Sequence, residues 1–203
     1  MKLDPFYPIV DSADWVARLV PLGVKLVQLR IKDKVDAVLR AEIVASKAVC
    51  DQHQCQLIIN DHWKLAIEEN CNFVHLGQED LVDADVAAIR RAGLKLGVST
   101  HDGAELATAL SVDPDYIALG PVFETNSKDV GFAPQGPERV KDWKQQIGDV
   151  PLVAIGGIRL ERSAGVFENG ADSIAVISDV TKAGDPELRS QEWIAATKTR
   201  RQE

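Results

Sequence analysis

Eight short aliphatic runs, each followed by an amphipathic stretch, restrict most strongly what this chain can fold into. The runs predict strands at Phe6–Val10, Leu26–Ile31, Gln56–Asn60, Asn72–His75, Leu94–Val98, Tyr116–Leu119, Leu152–Ile155 and Ser173–Ile177. Between and after them, apolar residues repeat at three- and four-residue spacing. That spacing predicts helices over Asp14–Leu22, Val35–Cys50, Trp63–Glu69, Asp85–Ala92, Ala104–Leu110, Glu138–Ile147, Leu160–Asn169 and Leu188–Lys198. Local punctuation agrees. Asp102 and Glu105 have capping-box spacing, and Gly23, Gly93, Gly148 and Gly170 stand where helices should stop. Strand–helix alternation of this kind implies a parallel sheet. Eight units predict an α/β fold of the compact (β/α)8 TIM-barrel type, eight parallel strands in one domain over residues 1–203. A doubly wound open sheet is the competing fold, but it usually stops short of eight strands.

Charge and cysteine usage narrow the function. The net charge is −8 with both signs mixed along the chain, which argues against nucleic acid or an anionic membrane as partner. A phosphorylated ligand would therefore need local cations, backbone N–H groups or a metal. The N-terminus lacks a signal-peptide core, and no apolar run approaches the ~20 residues of a spanning helix. The three cysteines, Cys50, Cys55 and Cys71, lack metal-finger spacing. Free thiols and a cytoplasmic location are expected.

In such barrels the active site lies at the C-terminal ends of the strands. The chemically capable residues gather there. The second strand ends in Gln28, Arg30 and Lys32, alternating with Val27, Leu29 and Ile31. On its own that pattern also describes a half-exposed strand with a solvated polar face. Inside a barrel the polar set must face the interior and mouth, because helices cover the outside; Arg30 is expected inward and Leu29 outward. Asp61 and Asp80 follow neighbouring strands. Each alone reads as a helix N-cap. As a pair beside Arg30 and Lys32, they suit Mg²⁺ bridging to a diphosphate. Gly156-Gly157 and Ile177-Ser178, after the last two strands, fit a phosphate-binding place. The Gly- and Pro-rich connection Gly120–Pro137, with Thr125-Asn126-Ser127-Lys128, is a candidate lid. His75 and His101 each have acid–base capacity, but neither is assigned a role.

Together these residues resemble the thiamine phosphate synthase family over nearly the whole chain. The matching pieces are Gln28-Leu29-Arg30-Ile31-Lys32, Ile59-Asn60-Asp61, His75-Leu76-Gly77-Gln78-Glu79-Asp80, Leu96-Gly97-Val98-Ser99, Gly120-Pro121-Val122-Phe123 with Lys128, Ala154-Ile155-Gly156-Gly157-Ile158, and Ile177-Ser178. No single motif decides the match; order and spacing carry it. The resemblance implies an enzyme that joins 4-amino-2-methyl-5-hydroxymethylpyrimidine diphosphate to a thiazole phosphate and releases diphosphate. It implies that the stretch Gln28 to Lys32, with Asn60, Ser99 and Lys128, holds the pyrimidine diphosphate. Arg30, Lys32 and Lys128 would serve its departure, and Asp61 and Asp80 would hold Mg²⁺. Thr125, Asn126, Ser127, Gly157, Ile177 and Ser178 would hold the thiazole phosphate. Two residues depart from the family pattern: Ser127 stands where a second threonine is common, and Asp179 where a small residue is usual. An inward Asp179 would repel a phosphate. A thiazole tautomerase on a related barrel would not need the full set of diphosphate and metal residues. A non-catalytic sensor of phosphorylated ligands would bind without turnover. The sequence leaves oligomeric state open.

Overall fold

The computed structural model describes residues 2–125 and 131–201. Eight parallel strands close in sequence order into a barrel, with β1 paired to both β2 and β8. The strands are β1 Phe6–Val10, β2 Leu26–Leu29, β3 Gln56–Asn60, β4 Phe73–Leu76, β5 Lys95–Thr100, β6 Tyr116–Leu119, β7 Leu152–Ile155 and β8 Ser173–Val176. The helices are α1 Ala13–Leu19, α2 Asp36–His53, α3 Trp63–Glu68, α4 Gln78–Asp83, α5 Val86–Arg91, α6 Gly103–Ser111, α7 Gly136–Ile147, α8 Leu160–Glu168, α9 Ser178–Thr181 and α10 Pro186–Ala196. The open-sheet alternative is thereby excluded.

Sequence and structure differ mainly at element ends. The expected helix Asp14–Leu22 breaks into α1 and a 3-10 turn, Val20–Leu22, where Pro21 lacks the N–H that a continuing α-helix needs. The short helices α4 and α9 were not expected; four to six residues are too few to display a helical period. Asp102 caps α6 by accepting from Glu105 N–H at 2.9 Å. The Glu105 carboxylate, however, takes the His101 N–H (2.7 Å) instead of that of Asp102. It therefore also fixes the residue before the cap.

Period-two alternation sorts the core into two layers. One lies between the strands and the helices and holds Val27, Leu29, Ile59, Val74, Leu76, Val98 and Ile117. The other fills the barrel and holds Tyr7, Ile9, Leu26, Ile58, Phe73, Tyr116, Ala118, Val153 and Ala175. Gly97 explains how two tyrosines fit inside. A Cβ there would overlap the Tyr116 ring at Cζ and Cε1, so the missing side chain is the space the ring occupies. Gly97→Ala is expected to force the ring aside and cost about 2 kcal/mol. Thermal melting should then fall by roughly 4–8 °C. An unchanged melting temperature would mean that the ring has room to move.

Candidate active site

The C-terminal ends of the strands surround one cavity, and Gln28, Arg30, Lys32, Asn60, Asp61, His75, Asp80, Ser99, Thr125 and Ile177 all line it. β2 ends at Leu29, two residues earlier than expected, but Arg30 N–H still donates to Val10 O (2.8 Å), so the alternation runs on past the strand. Arg30 and Lys32 accordingly face the mouth. The side chains of Leu29 and Ile31 turn the other way and are buried in the outer layer. This is the outward orientation expected for Leu29, because a side chain one step along a strand points to the opposite face; neither side chain lines the cavity. Neither Arg30 nor Lys32 has an ion-pair partner among the described residues. Their charge is directed at the cavity and at Asp61.

Asp61 and Asp80 meet across the β3 and β4 ends. Burial first, then the nearby Asp80 carboxylate, push the Asp61 pKa above the usual carboxylate value, with Lys32 and Arg30 opposing. Neither aspartate acts as an N-cap. The cap of α3 is His62, without a side-chain bond, and the cap of α4 is Gly77, with Asp80 in the first turn. Asp61 sits in left-handed backbone, φ 62°, held by its N–H to His75 O at 2.9 Å. Residues rarely adopt that conformation without a reason in the surroundings. Two close oxygen donors suit Mg²⁺, which prefers oxygen and keeps several waters. Among the described residues no third acidic, histidine or cysteine group joins them. The remaining positions would fall to water and substrate oxygens.

Beneath the mouth lies a chain of polar groups inside the barrel. Gln28 Nε2 donates to Tyr7 Oη (2.7 Å), and Tyr7 Oη lies 3.1 Å from Tyr116 Oη. Tyr116 Oη lies 2.7 Å from His75 Nδ1, and His75 Nε2 lies 2.8 Å from Ser99 Oγ. Burial raises the pKa of both phenols well above the ordinary value of 10.0. Both tyrosines escaped the sequence reading. The usable signal was their placement at inward-facing strand positions, where most side chains are aliphatic. Gln78, also unassigned, donates to Ser99 O (2.7 Å) and ties α4 to β5. His101 reaches the mouth, stacked on Phe132 with centroids 4.5 Å apart. Thr100 is turned outward instead, donating to Ala118 O and accepting from Trp143 Nε1.

On the opposite wall, Thr125, Gly157, Ile177 and Ser178 line one small recess. Gly157 has φ 64°, and a Cβ on it would collide with Glu124 O and the Phe123 main chain. The glycine is thus required by the strand-six loop crossing over it, whatever the ligand. Asp179 does not line that recess, but it borders an adjoining cleft with Thr125, Gly157 and Ser178. Its carboxylate takes Arg189 Nε and Nη2 at 3.0 Å each and Trp193 Nε1 at 2.8 Å. Its charge is met there by the Arg189 guanidinium. Asn126, Ser127 and Lys128 lie outside the described residues, as do positions 129 and 130 of the expected lid.

A parallel (β/α)8 barrel with cations lacking ion-pair partners among the described residues, and paired carboxylates, at its mouth defines an enzyme-type site for a phosphorylated ligand. The chain belongs to the TMP-TENI family, thiamine monophosphate synthase, whose profile matches residues 6–180. It is 66% identical over 197 residues to a thiamine-phosphate synthase of Rhizobium etli, covering 97% of each chain. It is 54% identical over 179 residues to one of Cronobacter sakazakii, covering 88% of this chain and 85% of that protein. Among solved structures, a thiamine phosphate pyrophosphorylase of Pyrococcus furiosus superposes with a TM-score of 0.85 at 25% identity, covering 97% of this chain and 96% of the other. No described helix is long and apolar enough to cross a membrane.

Proposed function

We propose that this enzyme condenses 4-amino-2-methyl-5-hydroxymethylpyrimidine diphosphate with 4-methyl-5-(2-hydroxyethyl)thiazole phosphate, giving thiamine phosphate and diphosphate. One observation carries the reading: Arg30 and Lys32, without ion-pair partners among the described residues, face the Asp61–Asp80 pair across a single cavity. Cations and carboxylates together suit a diphosphate shared with a divalent metal, which neither set would hold alone. Mg²⁺ held by Asp61 and Asp80 would neutralise charge developing on the leaving diphosphate. Arg30 and Lys32 would do the same from the β2 side, and Lys128 from the lid. The C–O bond of the pyrimidine methylene breaks, and diphosphate departs with the electron pair. The electron-rich aminopyrimidine stabilises the cation left behind. The thiazole nitrogen then donates its lone pair to form the C–N bond. No proton changes hands, so no enzymic nucleophile or base is required. Water would trap the cation, which gives the connection after β6 its role as a lid. Thr125, Gly157, Ile177 and Ser178, with Asn126 and Ser127, would hold the thiazole phosphate.

Incubating the protein with both substrates and Mg²⁺ is expected to yield diphosphate and thiamine phosphate in equal amounts. Absence of both products, with Mn²⁺ as well as Mg²⁺, would reject the proposal. Diphosphate without thiamine phosphate would show that the thiazole site is misassigned.

A further inference from the structure

The five polar side chains inside the barrel have more order than pairwise contacts imply. Each phenol keeps its single hydrogen, because burial holds both tyrosines in the neutral form. A phenol oxygen can accept twice but has one hydrogen, and a buried hydrogen needs an acceptor. Tyr7 Oη accepts from Gln28 Nε2; were it to accept from Tyr116 as well, its own buried hydrogen would have no acceptor among the described residues, so the arrangement that satisfies both phenols sends that hydrogen to Tyr116 Oη. Tyr116 in turn donates to His75 Nδ1. A neutral imidazole that accepts at Nδ1 carries its proton on Nε2, which faces Ser99 Oγ. Ser99 Oγ therefore accepts from His75, and its own hydrogen has no acceptor among the described residues. Ser99 lines the cavity.

We infer that this wire runs one way, from the Gln28 amide to the Ser99 hydroxyl, fixing His75 as the Nε2–H tautomer and presenting Ser99 to the ligand as a hydrogen-bond donor. Tyr7, Tyr116 and His75 are then positioning residues, since none of them has to touch the reacting atoms. The ligand atom that meets Ser99 must be an acceptor. Resting on the proposed function, that acceptor belongs to the pyrimidine diphosphate, while a donor in its place would be refused. Turning the Gln28 amide over would reverse every donor in the wire and make Ser99 an acceptor, so polarity at one end is readable at the other. The geometry resists a loose arrangement. The Tyr116 ring fills the space left by Gly97 and stacks on His75, with centroids 5.5 Å apart and an interplanar angle of 17°. Gln28, Tyr7, Tyr116 and His75 are all buried.

The test begins with nitrogen NMR of histidine-labelled protein, in which a His75→Gln variant identifies the His75 signals among those of the four histidines. The expected pattern is a neutral ring protonated on Nε2. A proton on Nδ1, a tautomer mixture or a charged ring at neutral pH would overturn the inference. The second arm is Tyr116→Phe, which removes the donor to Nδ1 without changing the ring. It should alter the His75 tautomer signals and raise KM for the pyrimidine diphosphate about tenfold, with KM for the thiazole phosphate unchanged. Unaltered signals, or equal changes in both KM values, would overturn it as well. The NMR arm needs no turnover. A failure of the synthase proposal would therefore appear as absent activity with the tautomer still readable.

Discussion

Replacing Asp61 by asparagine should cut synthase turnover by on the order of 100-fold or more while making the protein more resistant to heat. Asparagine keeps the shape and tolerates the left-handed backbone at φ 62°. It removes one of the two charges to which we assign the metal. Loss of partners one layer further out already costs about 10–100-fold at metal sites, so a direct ligand should cost at least the upper end. The gain in stability follows from the sign of the pKa shift. The Asp61 carboxyl is raised above its ordinary 3.8 by burial and by Asp80. The folded state therefore holds the Asp61 proton more tightly than the unfolded chain does, and the ionised carboxylate destabilises the fold. That penalty is fully present above the raised folded value. It shrinks as pH falls through that value and is gone below 3.8. Asparagine should accordingly raise the melting temperature by a few degrees at pH 7, with the advantage disappearing in acid. Melting curves of both proteins across pH, with turnover at saturating Mg²⁺, test both halves. Full activity in the variant would sink the metal assignment. A lower melting temperature at pH 7 would mean that attraction to Arg30 and Lys32 outweighs burial and repulsion.

Asp179→Ala is expected to act in the opposite sense, costing stability with little effect on pyrimidine binding. The carboxylate ties α9 to α10 through Arg189 and Trp193, and it also accepts Leu160 N–H at 3.3 Å from the start of α8. Trp193 is fully buried and stacks on Phe6 of β1 with centroids 5.4 Å apart. Removing the acceptor leaves the buried indole N–H without its partner and removes one of three carboxylates around Arg189. Glu161 and Glu192 remain, so the guanidinium is not stranded. A loss of about 3 kcal/mol is reasonable for that combination. In a chain of this size it corresponds to a melting temperature lower by roughly 6–12 °C. Asp179→Asn, which keeps an acceptor but not the charge, should fall between. If instead the melting temperature holds and the thiazole phosphate binds more tightly, Asp179 acts on the ligand.

The two cases show where sequence reading stops. Arg30 and Lys32 were legible because alternation along a strand is local. Once the barrel is granted, the face each residue takes follows from its neighbours one step away. The same rule separates Leu29 and Ile31 from the cavity despite their place in the motif. The cap reading of Asp61 and Asp80 failed for a different reason. Cap preference is a statistical property of helix starts, whereas the actual caps fall on His62 and Gly77. The side of its turn that Asp179 takes stayed open in the sequence because α9 is too short to announce itself. Its partners lie ten and fourteen residues further along the chain.

By itself the sequence determined the number and order of the strands, the inward and outward faces of each, and the end of the barrel where polar chemistry collects. Those follow from hydrophobic period and from the direction of a parallel sheet, and both are written locally. Tertiary structure alone decided which inward residues meet. Tyr7 on β1 and Tyr116 on β6 lie 109 positions apart, yet closure brings their hydroxyls to 3.1 Å across the interior. Gly97 makes room for that meeting from a third strand. No local pattern encodes such a contact, because it depends on the radius of the closed barrel and on what every other inward side chain leaves unfilled.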